Sequence, residues 1–83
     1  MPNLKKHNKD CKVLGIDPNV CNITNKWMDE PSQQIPGCEH REFRHSLIDC
    51  FDWASQGETL RESRDRLKAC RRHIVLDSIT GSC

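Results

Sequence analysis

The apolar positions in the second half of the chain recur at helical spacing. Phe43, Leu47, Cys50, Phe51 and Ala54 stand at i, i+4, i+7, i+8 and i+11, the repeat that lays side chains along one face of a helix. They predict a helix from about Glu39 to Ser55, stopped by Gly57. Leu60, Leu67, Cys70 and Ile74 form a second stripe and predict a helix from near Thr59 to about Ser78. The first half is marked more by its punctuation. Pro2 suits a first turn and Gly15 a stop, so a helix is expected from about Asn3 to Leu14. Asp17 as N-cap, with Pro18 at the first helical position, opens another that ends before Pro31. The stretch "EPSQQIPG" reads as a loop, because two prolines and a glycine deny it regular hydrogen bonding. No segment alternates at period two for long enough to form a strand; "HIVLD" comes nearest, yet it continues a helical pattern. The expected fold is all-α, a small bundle of about four helices forming a single helical domain over residues 1–83.

Composition changes this picture in one respect, support. At 83 residues with 35% hydrophobic residues and only Trp27, Phe43, Phe51 and Trp53 as aromatics, the core is lean. Domains of this size commonly need disulfides, a metal or a partner. Six cysteines are available: Cys11, Cys21, Cys38, Cys50, Cys70 and Cys83. The start "MPNLKKHNKDCK" has no apolar core of a signal peptide, and no apolar run approaches the roughly 18 residues that span a bilayer. The expectation is therefore a soluble cytoplasmic protein without a membrane role. Thiols stay reduced in most such settings, so either some cysteines ligate metal or the source tolerates intracellular disulfides. Six cysteines allow 15 full pairings, and the spacing does not choose among them. Cys11-x9-Cys21 has the spacing of twin C-x9-C helical hairpins, but Gly15 and Pro18 fall inside it and Cys38-x11-Cys50 breaks the second half. A net charge of +1 gives no global attraction to nucleic acid.

Several residues carry candidate chemistry. His73 and Asp77 stand four apart, so a helix projects both from one face, close enough for one cation. Measured from Leu67, Cys70, His73 and Asp77 lie about 60°, 120° and 80° round the helix on one side, bordering the apolar stripe. "HREFRHSL" holds His40 and His45, which are about 140° apart if both are helical, so a shared site needs His40 at the helix start or before it. Asp49, four after His45, offers a second pair or a carboxylate that orients the imidazole. The plainer reading of Glu39, His40, Arg41, Arg44 and His45 is a solvated charged turn. Cys38-x-His40 and Cys70-x2-His73 suggest a rival, a structural Cys/His zinc site, although no C-x2-C is present. Arg61, Arg64, Lys68 and Arg71 line one side of the last helix, with Arg72 beside them, and such a stripe could meet an acidic partner or nucleic acid. Interleaved Glu62 and Asp65 and the scarcity of aromatics make a solvated face the simpler account. There is no glycine-rich phosphate loop, and Ser46 beside His45 is only a sequence neighbour.

Taken together, these pieces resemble a family pattern. "HREFRHSL" looks like the H-R-x3-H-S-L motif of a predicted metal-dependent hydrolase family whose usual members are inner-membrane proteins, and "HIVLDSIT" is similar to its later H-[IL]-x-L-D-x2-T motif. "WMDEPSQ" resembles the stretch where that family carries Asp-x-Asp-His-Pro, and His7 resembles an N-terminal histidine. The order is kept, with compressed spacing. Trp27 and Glu30 replace the first Asp and the His of that third motif, and the membrane helices are absent. The family is itself distantly like the zinc-dependent phospholipase C group, helical proteins that bind metal through histidines and aspartates and hydrolyse phosphoesters. The resemblance implies a metal set of His7, Asp29, His40, His45, His73 and Asp77, with Zn2+ the expected ion and Mn2+ or Fe2+ the alternatives. It implies metal-assisted attack of water on a phosphorus or carbonyl centre, with Glu30, Asp49 or Asp52 as general base and a small phosphoester as substrate. So short a chain leaves little wall for a pocket, so a homodimer would have to complete it. Two function classes follow: a small helical metal-binding protein with a His/Asp site, extending to a metal-dependent hydrolase, or a non-enzymatic, disulfide-stabilised interaction module.

Overall fold

A computed structural model describes residues 3–33 and 43–80. They form four α-helices, α1 (Leu4–Val13), α2 (Pro18–Asp29), α3 (Leu47–Ser55) and α4 (Leu60–Thr80), with a 3-10 turn over Glu30–Gln33 and no strand among the described residues. The fold is the all-α bundle that the periodicity predicts.

Each helix start carries its own chemical reason. The Asn3 side chain accepts the Lys6 N–H at the head of α1, and the Asp17 carboxylate accepts from Asn19 before α2, satisfying amides that have no partner within their helix. At the far end of α1, Gly15 takes φ +81° while its N–H bonds the Lys12 carbonyl. That left-handed turn is the geometry that a glycine allows most readily. Thr59 Oγ1 accepts from Glu62 N before α4, and the Glu62 carboxylate reaches back to the Glu58 N–H. Gly57, between α3 and α4, leaves room for Ser63, whose Oγ would lie 2.7 Å from an added Cβ.

The third helix departs from expectation. It begins at Leu47, and residues 43–46 are not helical; residues 39–42 lie outside the described part. The reason is Ser46, whose hydroxyl accepts the Asp49 N–H and donates to the Asp49 carboxylate, an N-terminal cap that ends the helix where it stands. The predicted face is corrected with it. Phe43, Leu47 and Phe51 are exposed; of the predicted stripe only Cys50 and Ala54 are buried, with Trp53 packed beside Cys50. On α4, Leu60 is exposed and the buried positions are Ala69, Cys70, His73, Leu76 and Asp77.

Among the described residues two small apolar clusters make the core: Cys11, Ile16, Cys21 and Ala69 in one, and Met28, Cys50 and Cys70, flanked by Trp27, Trp53, Leu67 and Ile74, in the other. Disulfides run through both, Cys11–Cys21 joining α1 to α2 and Cys50–Cys70 joining α3 to α4. On a chain-entropy account each removes about 3 kcal/mol of freedom from the unfolded chain, support that a lean core needs. Cys38 and Cys83 lie outside the described residues.

Candidate metal centre

A polar group is buried within the bundle: His7, Thr24, Asn25, His73 and Asp77. His7 comes from α1, Asp29 ends α2, and His73 and Asp77 lie one turn apart on α4. His45 reaches them from the segment before α3. Five of the six residues in the implied metal set thus meet in one place; His40 lies outside the described residues.

The donor atoms face one another. His7 Nε2 lies 3.2 Å from Asp77 Oδ1. His73 Nε2 is 3.2 Å from Asp29 Oδ1 and 3.5 Å from Asp77 Oδ2. His45 Nε2 is 3.5 Å from Asp77 Oδ2 and 3.7 Å from Asp29 Oδ1. The His7 and His73 rings stack with centroids 3.6 Å apart, and the His45 ring meets His73 edge-on at 5.1 Å. Two triads, His7–Asp29–His73 and His45–His73–Asp77, each bring one ligand atom per residue within 4.8 Å of the others.

The second nitrogen of two rings sets the direction of the first. A chain of amides runs from Asn22 through Asn8 to Asn25: Asn8 Nδ2 donates to Asn22 Oδ1 at 3.0 Å, and Asn25 Nδ2 donates to Asn8 Oδ1 at 2.8 Å. This leaves Asn25 Oδ1 as an acceptor, 2.9 Å from His73 Nδ1. With the amides so oriented, His73 donates from Nδ1. In the same way the Phe43 carbonyl, 2.8 Å from His45 Nδ1, can only accept. Such partners, which hold the imidazole with Nε2 turned inward, are the usual companions of metal-ligating histidines.

Electrostatics sharpen the geometry. Burial works against charge on Asp29 and Asp77, but the imidazoles around them outweigh it, His45 foremost, and both carboxyls sit well below the ordinary carboxylate range. Burial likewise opposes charge on His45, yet Asp29 and Asp77 raise it from 6.5 to about 9. Burial holds His73 below the ordinary histidine value despite the neighbouring Asp29, with His7 adding to the depression. Neutral His73, protonated on Nδ1, turns the lone pair of Nε2 toward two carboxylates. His7 Nε2 is buried and faces the Asp77 carboxylate. Three imidazole nitrogens with two carboxylates are a donor set suited to a divalent transition ion, which would take the place of the proton on His45.

The other sequence-based candidates do not join the cluster. Asp49 is taken up by the Ser46 cap rather than by His45. Glu30 is largely exposed and lies 3.6 Å from Arg44, and Asp52 is exposed on α3. Cys70 is bonded to Cys50, which removes it from the Cys/His alternative. Arg61, Arg64, Lys68 and Arg71 are exposed along α4, while Arg72 holds Asp10 through two bonds of 2.7 and 3.0 Å. Asn8, Asn22 and Asn25 are the site residues that sequence reasoning missed. Their one signal is that Asn25 stands four before Asp29 and so shares its face of α2. No family model, curated protein or solved structure matches the chain.

Proposed function

We propose that this chain is a metal-binding protein that holds a divalent transition ion, zinc first among them, through His7, Asp29, His45, His73 and Asp77. The observation that carries the reading is the convergence of three imidazole Nε2 atoms and two carboxylates from α1, α2, α4 and the segment before α3, two of the imidazoles oriented from behind. Ions of this class favour such nitrogen and oxygen donors. Because the ligands come from three helices and the segment before a fourth, the ion would also tie together a bundle whose apolar core is small.

The reading extends to hydrolysis of a small phosphoester. Its support is the resemblance of the two histidine motifs, the absence of thiolates from the donor set, and Asp29, whose side chain is 28% exposed and forms a solvent-facing edge. A bound ion would supply Lewis acidity and lower the pKa of a water molecule. This chain's residues would orient the ion and close the other sides of the site.

The test is elemental analysis of untagged protein after zinc reconstitution and desalting, beside His73→Ala and Asp77→Ala. Stoichiometric zinc in the wild type, lost from both variants, is the expected result, and a zinc-loaded sample is then assayed on a chromogenic phosphodiester with and without chelator. Zinc without turnover would leave the ion a structural role. No zinc in the wild type would overturn the reading and favour the disulfide-stabilised interaction module, with the exposed arginines of α4 as its contact face.

A further inference from the structure

Four of the five converging ligands sit on regular helices, and His45 does not. It lies in the short non-helical segment 43–46, and the residue before it, Arg44, has φ +59°. This is the left-handed region, which a residue with a side chain adopts at a cost. Something must hold the chain there, and the end of α2 supplies it.

The carbonyl of Trp27 would ordinarily accept the N–H of residue 31 in a continuing α-helix. Residue 31 is proline and has no N–H to give. Arg44 Nη1 donates to this carbonyl at 2.8 Å, a cation placed on the negative end of the helix. The same guanidinium lies 4.9 Å over the Trp27 ring and 3.6 Å from the Glu30 carboxylate. Trp27 is a firm anchor, for it stacks on Trp53 at 4.5 Å, and Trp53 Nε1 donates to Thr24 Oγ1 at 2.9 Å. On the other side of His45, Ser46 caps α3. The ligand is thus strung between two points on different helices.

We infer that Arg44 is a positioning residue for the metal site: by closing the carbonyl that Pro31 leaves open, it holds the left-handed turn that aims His45 at Asp29 and Asp77. The inference rests on the metal-binding reading and adds a residue to it that touches no ligand atom of the ion. Metal-ligand histidines owe much of their effect to the groups that orient them, and here orientation comes through the backbone.

The test is zinc affinity, read by competition with a chromophoric chelator at constant pH. It compares the full oxidised chain with Arg44→Gly, Arg44→Lys, His45→Ala and the double variant Arg44→Gly/His45→Ala. Glycine suits the left-handed backbone better than arginine, so a residue that merely makes the turn predicts affinity unchanged or improved in R44G. The anchor predicts a loss of about tenfold or more, in the range seen when groups that orient ligands are removed. Lysine keeps the cation and one donor and should lose less. Because Arg44 acts through His45, R44G should cost nothing further once His45 is alanine. Wild-type affinity in R44G overturns the proposal, and so does an equal loss with and without His45, which would mark a general effect on the fold. Should metal-free R44G fall short of wild-type helix content, Arg44→Asn, which tolerates the same backbone, takes its place with the same expectations. A wild type that takes up no zinc removes the metal reading itself, whereas a zinc-binding wild type matched by R44G removes this inference alone.

Discussion

Asn25 shows what a single residue contributes to this site. Its Oδ1 accepts from His73 Nδ1, and its Nδ2 donates onward to Asn8. Replacing it with leucine, close in volume and unable to hydrogen bond, leaves a buried imidazole N–H without an acceptor and the tautomer of His73 unconstrained. The first effect should cost the metal-free protein about 1–3 kcal/mol, visible in urea unfolding. The second should weaken zinc binding about 10- to 100-fold in a chelator competition; affinity equal to wild type would show that the amide chain supports the fold and not the ligand. The clustered histidines and aspartates were singled out in the sequence and Asn25 was not, for a physical reason. His73 and Asp77 announce themselves by i, i+4 spacing, which is set by the backbone of one helix. The bond from Asn25 to His73 spans 48 residues, and nothing local in either segment encodes it.

At the scale of elements, the start of α3 shows both what patterning can read and where it misleads. Apolar residues at 43, 47 and 51 mimic a continuous stripe, but the chain obeys a stronger local signal, the Ser46-x-x-Asp49 cap, a known signature of a helix start. The cap also releases residues 43–46 to carry His45 inward, which no helix continued from Glu39 would do with the same backbone. Ser46→Ala should therefore cost about 1 kcal/mol and Ser46→Gly only a few tenths, measured by urea unfolding of the metal-free protein. Equal losses from both would point to some other role for the hydroxyl. The buried face of α3 was legible only in part: the stripe included Cys50 and Ala54, which are buried, but the Cys50–Cys70 bridge, which ties this face to α4, leaves Leu47 and Phe51 outside. With 15 pairings open, sequence could not choose that bridge, whereas α1 and α2 were readable from caps, proline and glycine within their own turns, and α4 from its apolar stripe.

For the whole molecule, the buried His/Asp cluster makes stability a function of pH and, on the proposed reading, of metal as well. In the metal-free protein Asp29 and Asp77 are held below their ordinary value of 3.8, so the stability they confer is present above that pH and lost as the solution is acidified. His45 works the other way. Its value rises from 6.5 to about 9, so the stability of its charged form is fully present below pH 6.5 and is lost as pH rises toward 9. A bound ion reverses this second trend, because it takes the Nε2 lone pair that the proton would otherwise hold. Zinc uptake near neutral pH must then release a proton from His45, and the affinity must climb as the solution is made more alkaline up to about pH 9. Since a ligand stabilises by its affinity for the folded state, the gap in melting temperature between zinc-loaded and chelator-treated protein should widen from pH 6.5 to 9. The widening comes from both sides, with the metal-free form losing stability while the loaded form holds. Thermal unfolding at three pH values across this interval, with protons counted by an indicator dye during zinc titration, checks the expectation. A gap that stays constant, with no proton released, would mean that His45 is not displaced from its carboxylates by the ion and does not belong to the metal set.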